Sequence, residues 1–121
     1  MTEVAIKAHD LLYLSIAIFE VANPKAVIQI IHGEREHKEN YNEFCSWLNA
    51  NGFNVVIADL RGHGKSINDS YPIGYLENIE ELVKDTCKVT EFIKNRYPNL
   101  EVYMFAHAFG TEIARIYLEE N

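Results

Sequence analysis

Residues 101–110, Glu-Val-Tyr-Met-Phe-Ala-His-Ala-Phe-Gly, decide the fold that this sequence predicts. The stretch up to Ala106 is nearly all apolar, as expected of a strand that is covered on both faces. Beyond Gly110, apolar side chains recur at the spacing that places them on one face of a helix: Ile113, Ala114, Tyr117 and Leu118. The stretch therefore predicts a buried strand that turns sharply into an amphipathic helix.

The same alternation of strands and helices runs through the rest of the chain. Short β-rich or apolar runs bounded by turn residues predict strands over residues 4–9, 12–20, 26–31, 53–58 and 101–106. Apolar residues at helical spacing predict helices within residues 41–48, 79–93 and 113–118. This order indicates an α/β fold with a mostly parallel sheet of about five strands and three helices.

Composition supports one domain over residues 1–121 and disfavours nucleic acid as a partner. The 121 residues are 48% hydrophobic and 24% charged, which suffices for one packed core. Eleven Lys and Arg against eighteen Asp and Glu leave a net charge of −7, and an acidic surface repels phosphate backbones. We therefore expect no nucleic-acid partner.

The chain carries no sign of a membrane span or a secretory signal. Its longest apolar run, residues 11–19, has about half the length of a transmembrane helix, and no positively charged segment precedes it. Cys45 and Cys87 both fall in predicted helices, where we expect thiols packed as small hydrophobic groups rather than a disulfide. These features favour a cytoplasmic setting.

Three loops follow the buried strands at the carboxyl edge of the predicted sheet, where α/β proteins place their functional groups. They are residues 32–40, 59–66 and 107–110. The third, within Ala106-His-Ala-Phe-Gly110, stands in the strand–turn–helix context of the nucleophile elbow G-x-S-x-G. Ala108 occupies the place of the serine. Taken alone, this pattern also fits an ordinary tight strand–helix connection.

The three loops together resemble a known family. His32-Gly-Glu-Arg-Glu-His37 followed by Tyr41, then Asp59-Leu-Arg-Gly-His-Gly-Lys-Ser66, then the elbow, match HGxxEHxxxY, DxRGHGxS and GHSxG in order. This is similar to the monoacylglycerol lipase and lysophospholipase (serine aminopeptidase S33-like) branch of the α/β-hydrolases. The resemblance extends over residues 3–120 and implies the amino-terminal half of that fold, a partial α/β-hydrolase domain.

The resemblance also implies roles for individual residues. The backbone N–H groups of Glu34 and Phe109 would form an oxyanion hole, which stabilises negative charge on a reacting carbonyl oxygen. His32, Gly33, His107 and Gly110 would shape the loops around it. The implied substrates are lipid-like esters such as lysophospholipids or monoacylglycerols, and neither a metal nor another cofactor is implied.

Two departures predict that this chain is inactive by itself. Ala108 has no hydroxyl group, and only residues 111–121 follow the elbow, whereas the family's acid and histidine base lie in later strands. Three origins remain open: one piece of a hydrolase that needs a complementary carboxy-terminal half, an introduced Ser→Ala change, or a non-catalytic module that binds a ligand or partner. The last strand would form an open sheet edge, suited to such a half or to self-association.

Other readings of the motifs are weaker. A phosphate-binding loop at residues 62–66 would need glycine where Asp59 stands, and we expect Arg61 to pair instead with a nearby carboxylate such as Asp59. His32, His37 and Glu36 match no metal-binding spacing, so we expect no metal site. None of the candidate replacement nucleophiles lies at an elbow apex: Ser15, Ser46, Ser66, Ser70 and Thr111.

Overall fold

The computed structural model describes residues 1–120 and contains the expected five strands and three helices. The strands are β1 (Thr2–Lys7), β2 (Tyr13–Phe19), β3 (Ala26–Ile31), β4 (Phe53–Ala58) and β5 (Val102–Ala106). The helices are α1 (Asn42–Ala50), α2 (Ile79–Arg96) and α3 (Phe109–Glu120), and a 3₁₀ turn at Lys38–Tyr41 leads into α1. Within residues 1–120, no helix has both the length and the hydropathy needed to cross a bilayer.

The sheet is mixed, with strand order β1-β2-β4-β3-β5. β2 pairs antiparallel with both β1 and β4, whereas β3 pairs parallel with β4 and with β5. The three parallel strands end at the same edge, so the loops that begin at His32, Asp59 and His107 share that edge. β5 is the outermost strand on its side of the sheet.

Apolar side chains cover both faces of the central strands. On one face Cys45 and Leu48 of α1 pack against Ile30, Val55 and Ile57. On the other face two clusters join the sheet to α2 and α3, and their buried members include Ile16, Val27, Val56, Val89, Ile93, Leu82 and Ile113. The near-continuous apolar sequences of β3 and β4 follow from this two-sided burial.

Neither cysteine is in a disulfide. Cys45 is fully buried, and burial raises the pKa of its thiol to about 11. The thiol is therefore protonated and unreactive at neutral pH, as expected for a core cysteine. Cys87 is half-buried on α2.

Arg61 pairs with carboxylates, but Asp59, the example that the sequence suggested, is not one of them. Arg61 is 1% exposed; its Nε lies 2.7 Å from Oδ2 of Asp85, and its Nη1 lies 2.6 Å from Oδ2 of Asp10. Its guanidinium carbon also lies 4.8 Å from the centre of the Tyr71 ring. Arg61 therefore joins the β4–α2 loop to the β1–β2 turn and to α2.

Asp59 is fully buried and is held by a second set of donors. Its carboxylate accepts hydrogen bonds from the backbone N–H groups of Lys38 (2.7 Å) and Lys65 (2.9 Å), and from the Lys38 ammonium (3.0 Å). A Cβ on Gly64 would lie 2.4 Å from this carboxylate. The carboxylate therefore requires glycine at position 64.

We predict that Asp85→Ala lowers the free energy of unfolding by about 3–5 kcal/mol, because it leaves the buried Arg61 guanidinium without its main partner. Urea denaturation followed by circular dichroism measures the change. Glu112→Ala is the matched control, since it removes a carboxylate from exposed Arg115 and should leave stability nearly unchanged. Equal, small effects of the two variants would contradict a stabilising role for the buried pair.

Candidate functional site

The turn between β5 and α3 is sharp and strained at Ala108. Ala108 has φ +52°, a left-handed conformation that residues with a Cβ rarely adopt. Hydrogen bonds from Gly110 N–H to His107 O and from Thr111 N–H to Ala108 O, both 2.9 Å, turn the chain at once into the helix. The strand–turn–helix context expected of a nucleophile elbow is therefore present, with a methyl group at its exposed apex.

Close packing beneath the elbow explains its small residues. A Cβ on Gly110 would lie 2.6 Å from the carbonyl oxygen of Ile31 and 2.7 Å from that of His32, so only glycine fits there. A Cβ on Gly33 would lie 3.3 Å from the Cβ of Ala108. The structure therefore brings the His32–Gly33 loop against Ala108, at the turn between β5 and α3.

His32 holds the first loop from beneath. The side chain is fully buried, and its Nε2 accepts a hydrogen bond from Leu60 N–H at 2.9 Å. Its Nδ1 therefore carries the hydrogen and donates it to the carbonyl oxygen of Gly33, 2.8 Å away. Burial lowers the pKa of His32, which keeps the ring neutral and in this tautomer.

Glu36 and Tyr41 also contact this loop, although the sequence assigned them no role. Gly33 N–H donates to Oε1 of Glu36 at 2.6 Å, and the Tyr41 hydroxyl donates to the same oxygen at 2.7 Å. Nδ1 of His107 lies 3.4 Å from it. The motif placed both residues near the site, but only the folded loop shows that Gly33, Tyr41 and His107 all contact the same oxygen of Glu36.

An open cavity of about 630 Å³ lies beside the elbow. The cavity is lined by the first loop, the glycine-rich loop, the segment before α2 and the start of α3. Lining residues include Glu34, His37, His63, Ile73, Leu76 and Phe109. Its volume is in the range of small-molecule sites, and most of its lining is apolar. The two residues expected to supply oxyanion-hole amides therefore share one cavity.

A second cavity of about 320 Å³ lies on the other side of Glu36, next to the outer edge of β5. His107 lines it together with Tyr41, Phe44 and Phe105. The Phe44 and Phe105 rings are 4.8 Å apart, and Phe105 is 41% exposed. This part of the site is thus continuous with an aromatic patch at the edge of the sheet.

One cluster has the composition of a metal site. Within residues 1–120, only His9, Asp10 and Glu81 bring three potential ligand atoms to within 4.8 Å of one another. Nη1 of Arg61 lies 2.6 Å from Asp10 and 3.7 Å from Glu81, and His9 itself contacts Glu81. The guanidinium already supplies the positive charge that these carboxylates need, so the cluster gives no support to a metal ion.

Comparisons with known proteins show which family this chain resembles. The profile of the family described as serine aminopeptidase, S33, matches residues 22–121. The chain is 30% identical over 94 residues to the monoglyceride lipase homolog of Monkeypox virus, covering 78% of this chain and 33% of that protein. It is also 30% identical over 91 residues to human monoglyceride lipase, covering 75% of this chain and 29% of that one.

Solved structures match over nearly the whole chain. A thermostable carboxyl esterase from Bacillus coagulans superposes with a TM-score of 0.86 at 28% identity, covering 96% of this chain and 39% of the esterase. The chain spans about a third of the length of the curated relatives described above. Its five-stranded sheet and its three helices are those of a partial α/β-hydrolase fold, and the chain belongs to the serine aminopeptidase S33 family.

Proposed function

We propose that this chain carries the oxyanion-hole side of a lipid-ester hydrolase site and is inactive by itself. The observation that carries the proposal is the strained apex at Ala108, φ +52°, packed against Gly33. An ordinary strand–helix connection has no need of a left-handed alanine. A nucleophile elbow does need this conformation, because it lifts the apical side chain above the sheet.

The proposed oxyanion hole uses main-chain atoms only. The N–H groups of Glu34 and Phe109 would stabilise the negative charge that develops on the carbonyl oxygen of an ester. Phe109 begins α3, so the positive end of the helix dipole adds to this stabilisation. Glu34 is exposed, which lets its carboxylate remain in water, away from the developing charge.

The proposed substrates are esters with one acyl chain, such as monoacylglycerols or lysophospholipids. The supporting observations are the mostly apolar cavity beside the elbow and the names of the relatives, which include monoglyceride lipases, a phospholipase of Bacillus subtilis and a probable lysophospholipase of Haemophilus influenzae. Cys45 and Cys87, which are not joined by a disulfide, are compatible with a proposed cytoplasmic setting.

Two features support the proposed inactivity. Ala108 presents a methyl group, which cannot attack a carbonyl carbon, and loss of a triad serine lowers kcat by on the order of 10⁶. The acid and the histidine base of such sites follow the nucleophile on later strands, and residues 1–121 span only about a third of the length of the relatives.

We predict that Ala108→Ser creates esterase activity when residues 1–121 are joined to the part of human monoglyceride lipase beyond the matched region. The serine then has its acid and base, so hydrolysis of p-nitrophenyl butyrate should rise by on the order of 10³-fold or more over the alanine form. Residues 1–121 with Ala108→Ser alone should remain inactive.

Ala106→Ser is the matched control for this experiment, because it adds the same hydroxyl two residues before the apex. It should give no activity in the joined protein. Equal activity of the two serine variants, or none from Ala108→Ser in a joined protein that circular dichroism shows to be folded, would exclude the hydrolase proposal.

The cavity favours a second candidate function, a non-catalytic module that binds a single-chain lipid ester. Ile73 and Leu76 line the cavity and are 66% and 42% exposed, so a ligand would remove apolar surface from water.

We predict that Leu76→Asp weakens binding of monooctanoylglycerol about tenfold in calorimetric titrations below its micelle concentration. Leu118→Asp, at a 65% exposed position on α3 outside the cavity lining, should change binding less than twofold. Equal losses would place the ligand elsewhere.

We also propose that the outer edge of β5 receives a strand from a complementary polypeptide. The edge presents Tyr103 and Phe105, 56% and 41% exposed, and the relatives continue well beyond the matched region.

We predict that Phe105→Lys lowers association with a separately expressed carboxy-terminal part of human monoglyceride lipase, measured by size-exclusion chromatography. Lys substitution of Leu118, outside the edge, is the control. Dimers of the chain alone that Phe105→Lys abolishes would indicate self-association instead.

A further inference from the structure

The carboxylate of Glu36 connects the elements that surround the elbow. Its Oε1 accepts hydrogen bonds from Gly33 N–H at 2.6 Å and from the Tyr41 hydroxyl at 2.7 Å, and lies 3.4 Å from Nδ1 of His107. These donors belong to the first loop, to the turn before α1 and to the elbow. One oxygen atom thus links the loop that carries Glu34 to the residue that precedes Ala108.

Glu36 and His32 together fix both peptide groups that flank Gly33. The Glu36 carboxylate accepts a hydrogen bond from the N–H of the His32–Gly33 peptide. Nδ1 of His32 donates a hydrogen bond to the carbonyl oxygen of the Gly33–Glu34 peptide, 2.8 Å away. A trans peptide is planar, with N–H and C=O pointing in opposite directions. Fixing the Gly33 carbonyl therefore fixes the direction of the Glu34 N–H.

The charge of Glu36 strengthens this arrangement. The hydrogen bond from Tyr41 lowers the pKa of the carboxyl below its ordinary value, and the Gly33 amide and His107 add to the effect against the cost of burial. Glu36 is therefore ionised at neutral pH, and its hydrogen bonds are charge-assisted. The pKa of Tyr41 is raised by burial and by this carboxylate, so the hydroxyl keeps its proton.

We propose that Glu36 is a positioning residue: its carboxylate holds the His32–Gly33 peptide and, together with the hold of His32 on the Gly33 carbonyl, directs the Glu34 N–H toward the apex of the elbow. The inference rests on the proposed function for its catalytic meaning, but the hold itself is a property of this chain. It also explains why position 33 is glycine, since a Cβ there would lie 2.8 Å from Oε1 of Glu36.

The first test measures amide hydrogen exchange at Gly33 by NMR in residues 1–121. Glu36→Ala removes the acceptor and Glu36→Gln removes its charge, so exchange at Gly33 should rise about tenfold or more in the first and less in the second, while the amides of β3 and β4 stay unchanged. Glu39→Gln is the control, because Glu39 contacts His37 and Lys38 but not Gly33. Unchanged exchange at Gly33 in both Glu36 variants would overturn the proposal.

The second test compares two ligands in calorimetric titrations: a neutral octanoyl ester and the octylphosphonate monoester of the same alcohol, an anionic tetrahedral mimic of the reaction intermediate. Removing a negative charge by Glu36→Gln should by itself tighten binding of the anion. Loss of positioning should instead weaken phosphonate binding about fivefold, which corresponds to the loss of one hydrogen bond. Binding of the ester should change less than twofold.

The outcomes separate the two proposals. Weaker phosphonate binding in Glu36→Gln, but not in Glu39→Gln, supports positioning. Tighter phosphonate binding in both variants shows that Glu36 acts only through its charge and overturns the proposal. If the unsubstituted chain binds neither ligand, the proposed function fails, while the exchange measurement still decides whether Glu36 holds Gly33.

Discussion

Two buried charges of opposite sign, placed two residues apart, hold together the edge of the sheet on which the site is built. Asp59 and Arg61 are both shielded from water, and each has a complete set of partners on a different side of the loop. Asp59 is bonded to the first loop through Lys38, and Arg61 is bonded to α2 and to the β1–β2 turn through Asp85 and Asp10. Because a buried charge without a partner is costly, the loop has one stable arrangement, and the neighbouring segments are positioned against it.

The turn at Ala108 keeps its strained backbone without a hydroxyl group on the side chain at its apex. A left-handed alanine costs about 1–2 kcal/mol relative to an ordinary backbone conformation, and nothing at position 108 uses that strain for chemistry. The surrounding structure maintains the turn regardless, through glycine at 110, the hydrogen bonds that start α3 and the close approach of Gly33. These packing contacts and hydrogen bonds, rather than a side-chain hydroxyl at position 108, hold the backbone of the corner.

Local sequence patterns predicted the elements well but could not predict long-range partners. β3 and β4 match their predicted bounds because each is a short apolar run between strong turn residues. β1 ends two residues earlier than predicted, since Ala8 and Leu12 already pair across the turn. For Arg61 the sequence suggested a nearby carboxylate such as Asp59, whereas its partners lie in segments brought close only by folding. The contacts of Glu36 were missed for the same reason: they depend on the left-handed backbone at Arg35, which no periodicity reveals.

The strand order has a consequence for when the site forms during synthesis. β3 obtains its second neighbour only from β5, near the far end of the described chain, and the elbow begins where β5 ends. Closing so long a loop is entropically slow, and it cannot occur until β5 has left the ribosome. The hairpin of β1 and β2, by contrast, pairs locally and early. The corner that bears Ala108 thus takes shape only after the β1–β2 hairpin, and until β5 pairs, one edge of β3 lies open to chaperones and to neighbouring chains.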